Sequence, residues 1–253
     1  MSAGELRQAD IAFQANLYDS GNPTRRWLHN ARREWVMDMI DASAPVDARF
    51  LEIGCGCGIY TAHMAGLGTV RALDINPEFV AAANLMANVD ASVGDIQNLD
   101  SAPMYDVAVC SEVIEHIPDS ARALANINKA LKPGGHLILT TPHSFSSMEV
   151  FARLLAFPPA VALARMIYGE AVDDLGHINR LTRSALRRQI DAAGFEVVHH
   201  TSRALYLPVL AELCGQFGTG VAQRIERQLR DAPVLSQLLW TQCWLLKKPA
   251  ASA

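Results

Sequence analysis

An apolar run, an acid and three alternating glycines follow one another in Leu51-Glu52-Ile53-Gly54-Cys55-Gly56-Cys57-Gly58, and no other stretch constrains this chain as much. Glycines crowded behind a buried strand mark a main chain that turns sharply and lies close to a ligand, because a Cβ would obstruct both. The next apolar run, Val70-Arg71-Ala72-Leu73-Asp74, also ends in an acid. In nucleotide-binding βαβ units a carboxylate about 20 residues beyond the glycines takes the ribose hydroxyls, so the ligand is expected to carry a nucleoside. The spacing is G-x-G-x-G, not the G-x-G-x-x-G that seats a dinucleotide pyrophosphate.

Short β-like runs at 50–53, 70–74, 91–93, 106–110 and 136–141 alternate with helical patterns near 57–66, 77–87 and 120–131. That alternation predicts βαβ units, a parallel sheet and helices on both faces. Ligands of such sheets lie beyond the carboxyl ends of the strands, and each feature discussed here follows a strand. Phe195-Glu196-Val197-Val198-His199 and the run from Trp240 to Lys248 read as two late strands, with His199-His200 expected to be exposed.

With 253 residues, 50 % hydrophobic and 19 % charged, the chain suits one large α/β domain. A net charge of −4 disfavours nucleic acid as a partner. Five cysteines without C-x-x-C pairing, and a beginning that has neither a basic start nor an apolar core, point to a reducing cytoplasm. Cys55-Gly56-Cys57 lacks a second ligand pair at zinc spacing, so no metal is expected.

Read in order over roughly residues 45 to 200, the chain resembles the class I S-adenosylmethionine-dependent methyltransferases, and within them the branch of the ubiquinone-biosynthesis O-methyltransferases. The segments that carry the resemblance are Glu52 to Gly58, Ala72 to Pro77, Gly94-Asp95-Ile96, Tyr105 to Ile117, Leu131 to Pro142, and His177 to Thr182 with Ala193-Gly194-Phe195. It implies a Rossmann-like, seven-stranded, mostly parallel sheet with a late antiparallel strand, a helical N-terminal cap over residues 1–45, and a methyltransferase domain over 46–248. Apolar insertions at about 144–176 and 203–238 decorate that domain. They are too interrupted by Arg153, Arg165 and Pro158-Pro159 to span a membrane. Their expected role is to bury each other as a lid, to line a pocket for a hydrophobic small molecule, or to rest on a membrane surface.

The same resemblance distributes the cofactor, S-adenosyl-L-methionine, over named residues. Gly54, Cys55, Gly56 and Gly58 lie against its methionine part, Glu52 orients that turn, and Asp74 takes the ribose. Ile75 and Ile96 cover the adenine, Asp95 meets its amine, and Ser111 and Glu112 lie beside the methyl group. Tyr18 and Arg25 are candidates for the methionine carboxylate, with Arg26, Arg32 and Arg33 equal by charge. No Asn/Asp-Pro-Pro-Tyr/Phe follows the fourth strand, which favours a hydroxyl or carbon acceptor over a planar amine. His143 and His177 are the candidate bases, since an imidazole titrates near neutrality. Two other readings stay open at this point: a nicotinamide-linked oxidoreductase, and a cofactor-binding protein without turnover.

Overall fold

The computed structural model describes residues 16–147, 181–207, 210, 214–230 and 232–250. Asn22 opens the first helix, α1 (Pro23–Ser43), by accepting from the amides of Thr24 and Arg25, with proline at the first helical position. β1 (Ala48–Ile53), α2 (Ile59–Ala65) and β2 (Gly68–Asp74) follow. The second Asn-Pro start, Asn76-Pro77, caps α3 (Pro77–Ala83) in the same way. This helix stops short of the expected 87 because the Asn84 side chain both donates to and accepts from the main chain of Ala91 in β3 (Val89–Val93). β4 (Tyr105–Ser111), α4 (Ser120–Ala130) and β5 (Leu131–Pro142) complete the parallel part. Then come α5 (Arg183–Ala192), β6 (Glu196–Arg203), α6 (Gly215–Leu229) and β7 (Thr241–Lys247).

The seven strands lie in the order β3-β2-β1-β4-β5-β7-β6, with β7 antiparallel to both of its neighbours. This is the Rossmann-like sheet that the alternation and the resemblance predict. Strand residues alternate between two cores, as period-two side chains must. Leu51, Ala108, Leu137 and Leu139 face Leu124 and Ile127 of α4 and Leu186 and Ile190 of α5. Phe50, Val107, Val109 and Ile138 face Trp35, Val36 and Ile40 of α1, Met64 of α2 and Phe79 of α3. The second half of α1 thus belongs to the main core; burying Val36 and Ile40 contributes roughly 1.5–3 kcal/mol each.

Of the two expected insertions, residues 148–180 lie outside the described residues, while most of 203–238 forms α6 and its flanking turns. Among the described residues, no helix is long and apolar enough to cross a membrane.

Candidate active site

The order β2-β1-β4 puts three loops side by side at the carboxyl ends of the parallel strands. The amide of Gly54 donates to Leu73 O at 2.7 Å, so the glycine turn starts tied to the end of β2. Gly54, Gly56 and Gly58 have φ of 73°, 49° and 81°, a region that side chains resist, and a Cβ on Gly54 would collide with Val113. Asp74 Oδ2 accepts from the Gly56 amide at 3.0 Å and Oδ1 from the Asn76 amide at 2.8 Å. One carboxylate thereby fixes both the turn and the start of α3. The Gly94 amide donates to Asp74 O, which brings the Asp95 loop alongside.

Glu52 is 1 % exposed, and its Oε2 accepts from Thr61 Oγ1 at 2.6 Å. Burial, reinforced by the Asp74 charge, pushes its carboxyl up to about 8. Cys55 is buried and Cys57 half-buried in the turn, and burial raises both thiols. Among the described residues, no group of three or more His, Cys, Asp or Glu could hold a metal.

The two isoleucines differ. Ile75 stands 78 % exposed beside Asp74, a bare apolar face at the mouth of the cleft, whereas Ile96 is 3 % exposed and packs into the core beneath α4. Asp95 spends its oxygens on the amide and side chain of Gln97 within its own turn.

At the end of β4, Ser111 Oγ lies 2.9 Å from Thr140 Oγ1. Glu112 has a φ of 56°, uncommon outside glycine, which costs about 1–3 kcal/mol and persists only where neighbours hold it. Its amide donates to Thr140 O, its Oε1 accepts from Thr140 Oγ1 and Thr241 Oγ1, and its Oε2 meets Arg32 at 3.0 Å. Glu115, 3 % exposed, accepts from Thr141 Oγ1 at 2.9 Å and is held well above the usual carboxylate range by burial and by Glu112.

Of the four basic residues near the N-terminus, Arg32 is the one that enters the site, buried at 7 % exposure with its guanidinium 5.2 Å from the Trp240 ring. His29 meets Trp240 edge-on at 5.1 Å and Tyr18 at 5.8 Å, and burial with Arg32 lowers it to about 3. Tyr18 also lies beneath the Arg33 guanidinium. Arg25 sits on the first turn of α1, near His29, with its amide on the Asn22 cap. Arg32 was only one of several equals by charge, yet its place on the apolar stripe Leu28, Arg32, Trp35, Val36 marks it as the inward-facing cation. Glu115, His29 and Trp240 had no comparable sequence signal.

His143, 1 % exposed, follows β5; its Nδ1 accepts from the Phe145 amide, and its Nε2 has no partner among the described residues. Burial and Arg183 lower it to about 4. His177 lies outside the described residues.

Comparison with known proteins agrees with this geometry. The family described as "Methyltransferase domain" matches residues 25–200, more than half of the chain. A ubiquinone biosynthesis O-methyltransferase of Xanthomonas axonopodis pv. citri is 35 % identical over 141 residues, covering 51 % of this chain and 58 % of the relative. Its counterpart in Xanthomonas oryzae pv. oryzae is 30 % identical over 173 residues, 61 % of this chain and 71 % of the relative. The fold matches that of the N-methyltransferase NodS of Bradyrhizobium japonicum, solved with S-adenosyl-L-homocysteine, at a TM-score of 0.57 and 15 % identity over 97 % of each chain. The chain belongs to the methyltransferase domain family.

Proposed function

We propose that the protein transfers a methyl group to a hydroxyl on a small, apolar-bodied molecule. The observation that carries this reading is the cluster at the ends of β4, β5 and β7, where Ser111, Glu112, Thr140 and Thr241 meet Arg32 and the aromatic group of Tyr18, His29 and Trp240. The relatives named as O-methyltransferases support it. The apolar composition of residues 144–176 supports a hydrophobic acceptor such as a quinone precursor, and a resting contact with a membrane surface.

The residues present fit the cofactor. Glu52 is a buried acid without a cation, the complement of an ammonium group, and Ile75 is a bare apolar face beside the acid that would take the ribose. S-adenosylmethionine, when bound, supplies an electrophilic methyl on a sulfonium. The glycine turn and Glu52 orient its amino-acid part, Asp74 holds the sugar, Ile75 covers the base, and Asp95 orders the neighbouring turn. Tyr18 and Arg32 close the methionine end, with Arg25 further out. Ser111 and Glu112 line the path between donor and acceptor, where holding the reacting atoms at about 3–3.5 Å does most of the work.

His143 is our candidate for taking the acceptor's proton, with His177 as the alternative. Its lowered value keeps the imidazole unprotonated at neutral pH. Because the Phe145 amide donates to Nδ1, the neutral ring carries its proton on Nε2, so accepting another requires a tautomer change that releases that amide.

Calorimetric titration with S-adenosylhomocysteine and with NAD tests the cofactor, and heat with NAD alone would end this reading. Labelled-methyl transfer into fractionated small molecules then tests the acceptor. Product in phenolic or other hydroxylated fractions supports O-methylation, and product confined to amines rejects it. His143→Gln is expected to lower kcat about 100-fold or more while leaving S-adenosylhomocysteine affinity unchanged.

A further inference from the structure

A second cavity, of about 350 Å³, opens between the first turns of α5 and the sheet edge formed by β6 and β7. His200 and Trp244 stand opposite each other in the β6–β7 register, their rings 3.9 Å apart, and both line it. The sequence reading left His200 exposed; the facing indole half-buries it instead. Trp244 is 2 % exposed, yet among the described residues its Nε1 has no partner, and neither has His200 Nε2. An indole nitrogen can only donate. A buried donor left unsatisfied costs stability, and native structures rarely retain one without a reason.

The remaining wall is cationic. Arg183 and Arg187 lie one turn apart on α5 and so share a face, with Ser184 and Gln237 beside them. Among the described residues that line the cavity there is no carboxylate. Asp191 engages only Arg187 Nε, at 2.8 and 3.0 Å, and Arg183 reaches Pro233 O at 3.4 Å. The positive surroundings add to burial in lowering His200. The cavity is separate from the cofactor cleft, because β6 lies four strands from β1, about 19 Å at ordinary strand spacing.

We propose that this cavity binds the carboxylate or phosphoryl group of a small molecule, with Arg183 and Arg187 supplying the charge, Ser184 a hydroxyl beside them, and Trp244 a wall whose signal reports occupancy. The cofactor site does not require such a group, and because Arg183 also acts on the nearby His143, the inference is tested by binding and not by activity.

The test follows the indole N–H signals of the isotope-labelled full chain by NMR during titration with benzoate, inorganic phosphate and neutral benzamide at constant ionic strength. The Trp244 signal is identified by its loss in Trp244→Phe. It is expected to shift saturably with benzoate or phosphate, with a Kd of about 1 mM or tighter, and to ignore benzamide. A response to benzoate alone identifies a carboxylated organic ligand, and a response to phosphate a phosphoryl one. Arg183→Gln and Arg187→Gln are each expected to weaken binding about tenfold, while the signals of the other tryptophans stay in place to show an intact fold. No saturable shift with either anion, an equal response to benzamide, or unchanged binding in Arg183→Gln would overturn the proposal.

Discussion

Arg32 of α1 and Glu112 at the end of β4, eighty positions apart in the chain, form a 3.0 Å ion pair whose side chains are 9 % and 18 % exposed. Two ions taken out of water at such burial repay their desolvation only through good geometry and further hydrogen bonds. Here the Thr140 and Thr241 hydroxyls supply those bonds on Glu112, and the Trp240 ring covers the guanidinium. Removing one partner leaves a buried charge uncompensated, which costs about 3–5 kcal/mol. Arg32→Met is therefore expected to lower Tm by about 6–20 °C, at the 2–4 °C per kcal/mol of a chain this size. Adding Glu112→Gln to it should recover at least half of the loss. Thermal melts of the two single variants and the double variant form the cycle, and additive losses would show that the pair is not coupled.

Asp74 and Asp95 look alike in sequence, each following a strand, but they are bonded differently. Asp74 bridges two loops through the Gly56 and Asn76 amides, whereas both Asp95 oxygens stay within its own turn, on Gln97. Asp74→Asn removes the charge from the glycine turn and from the proposed ribose contact. At about 1.5–3 kcal/mol for a charged hydrogen bond, its Kd for S-adenosylhomocysteine should rise roughly 10–100-fold. Asp95→Asn should raise it less than about tenfold, since its oxygens have local partners. Calorimetry on both variants checks the ranking, and a reversed order would remove Asp74 from its assigned role.

The contrast between those acids shows what the sequence can carry. The glycine turn was legible because its conformation is written locally, in residues that tolerate positive φ, and the parallel sheet followed from apolar runs separated by helical patterns. The Arg32–Glu112 pair, the Trp240 wall and the His200–Trp244 contact were not, because each depends on which distant strands and helices meet. Ile96 illustrates the same limit. Its motif position suggested an open adenine face, but packing under α4 decides where the side chain goes, and the exposed face belongs to Ile75.

Stability should pass through a maximum near pH 6.5, for reasons that lie in five buried or half-buried groups. His29, His143 and His200 are lowered from 6.5 to about 3, 4 and 3, chiefly by burial and then by neighbouring arginines. Between those values and 6.5 the unfolded chain binds more protons than the native one, so their contribution rises with pH and is complete above 6.5. Glu52, raised from 4.5 to about 8, and Glu115, shifted the same way, act oppositely: the native state holds the extra protons, and stability falls as pH climbs from 4.5 to 8. Below about 6.5 the three imidazoles outweigh the two acids; above it only the acids still change. Urea midpoints between about pH 4 and 9 measure this curve. A midpoint that keeps rising to pH 8 would show that the two acids are ionised in the native state.

Cofactor binding should expel a proton from Glu52. With a value near 8 the carboxyl is mostly protonated at neutral pH, held so by burial and the nearby Asp74 charge. An ammonium group brought against it favours the ionised form, as any opposite charge within about 4–6 Å does. Titrating S-adenosylhomocysteine into the chain near pH 7, in buffers of different ionisation enthalpy, should therefore give binding heats that differ by close to one proton's worth of buffer protonation. In Glu52→Gln, which keeps the shape and can still accept from Thr61, that buffer dependence should vanish while binding weakens about tenfold. Heats that are independent of buffer in the unmodified chain would mean that Glu52 does not meet the amino group, and its role would shrink to bracing the glycine turn through Thr61.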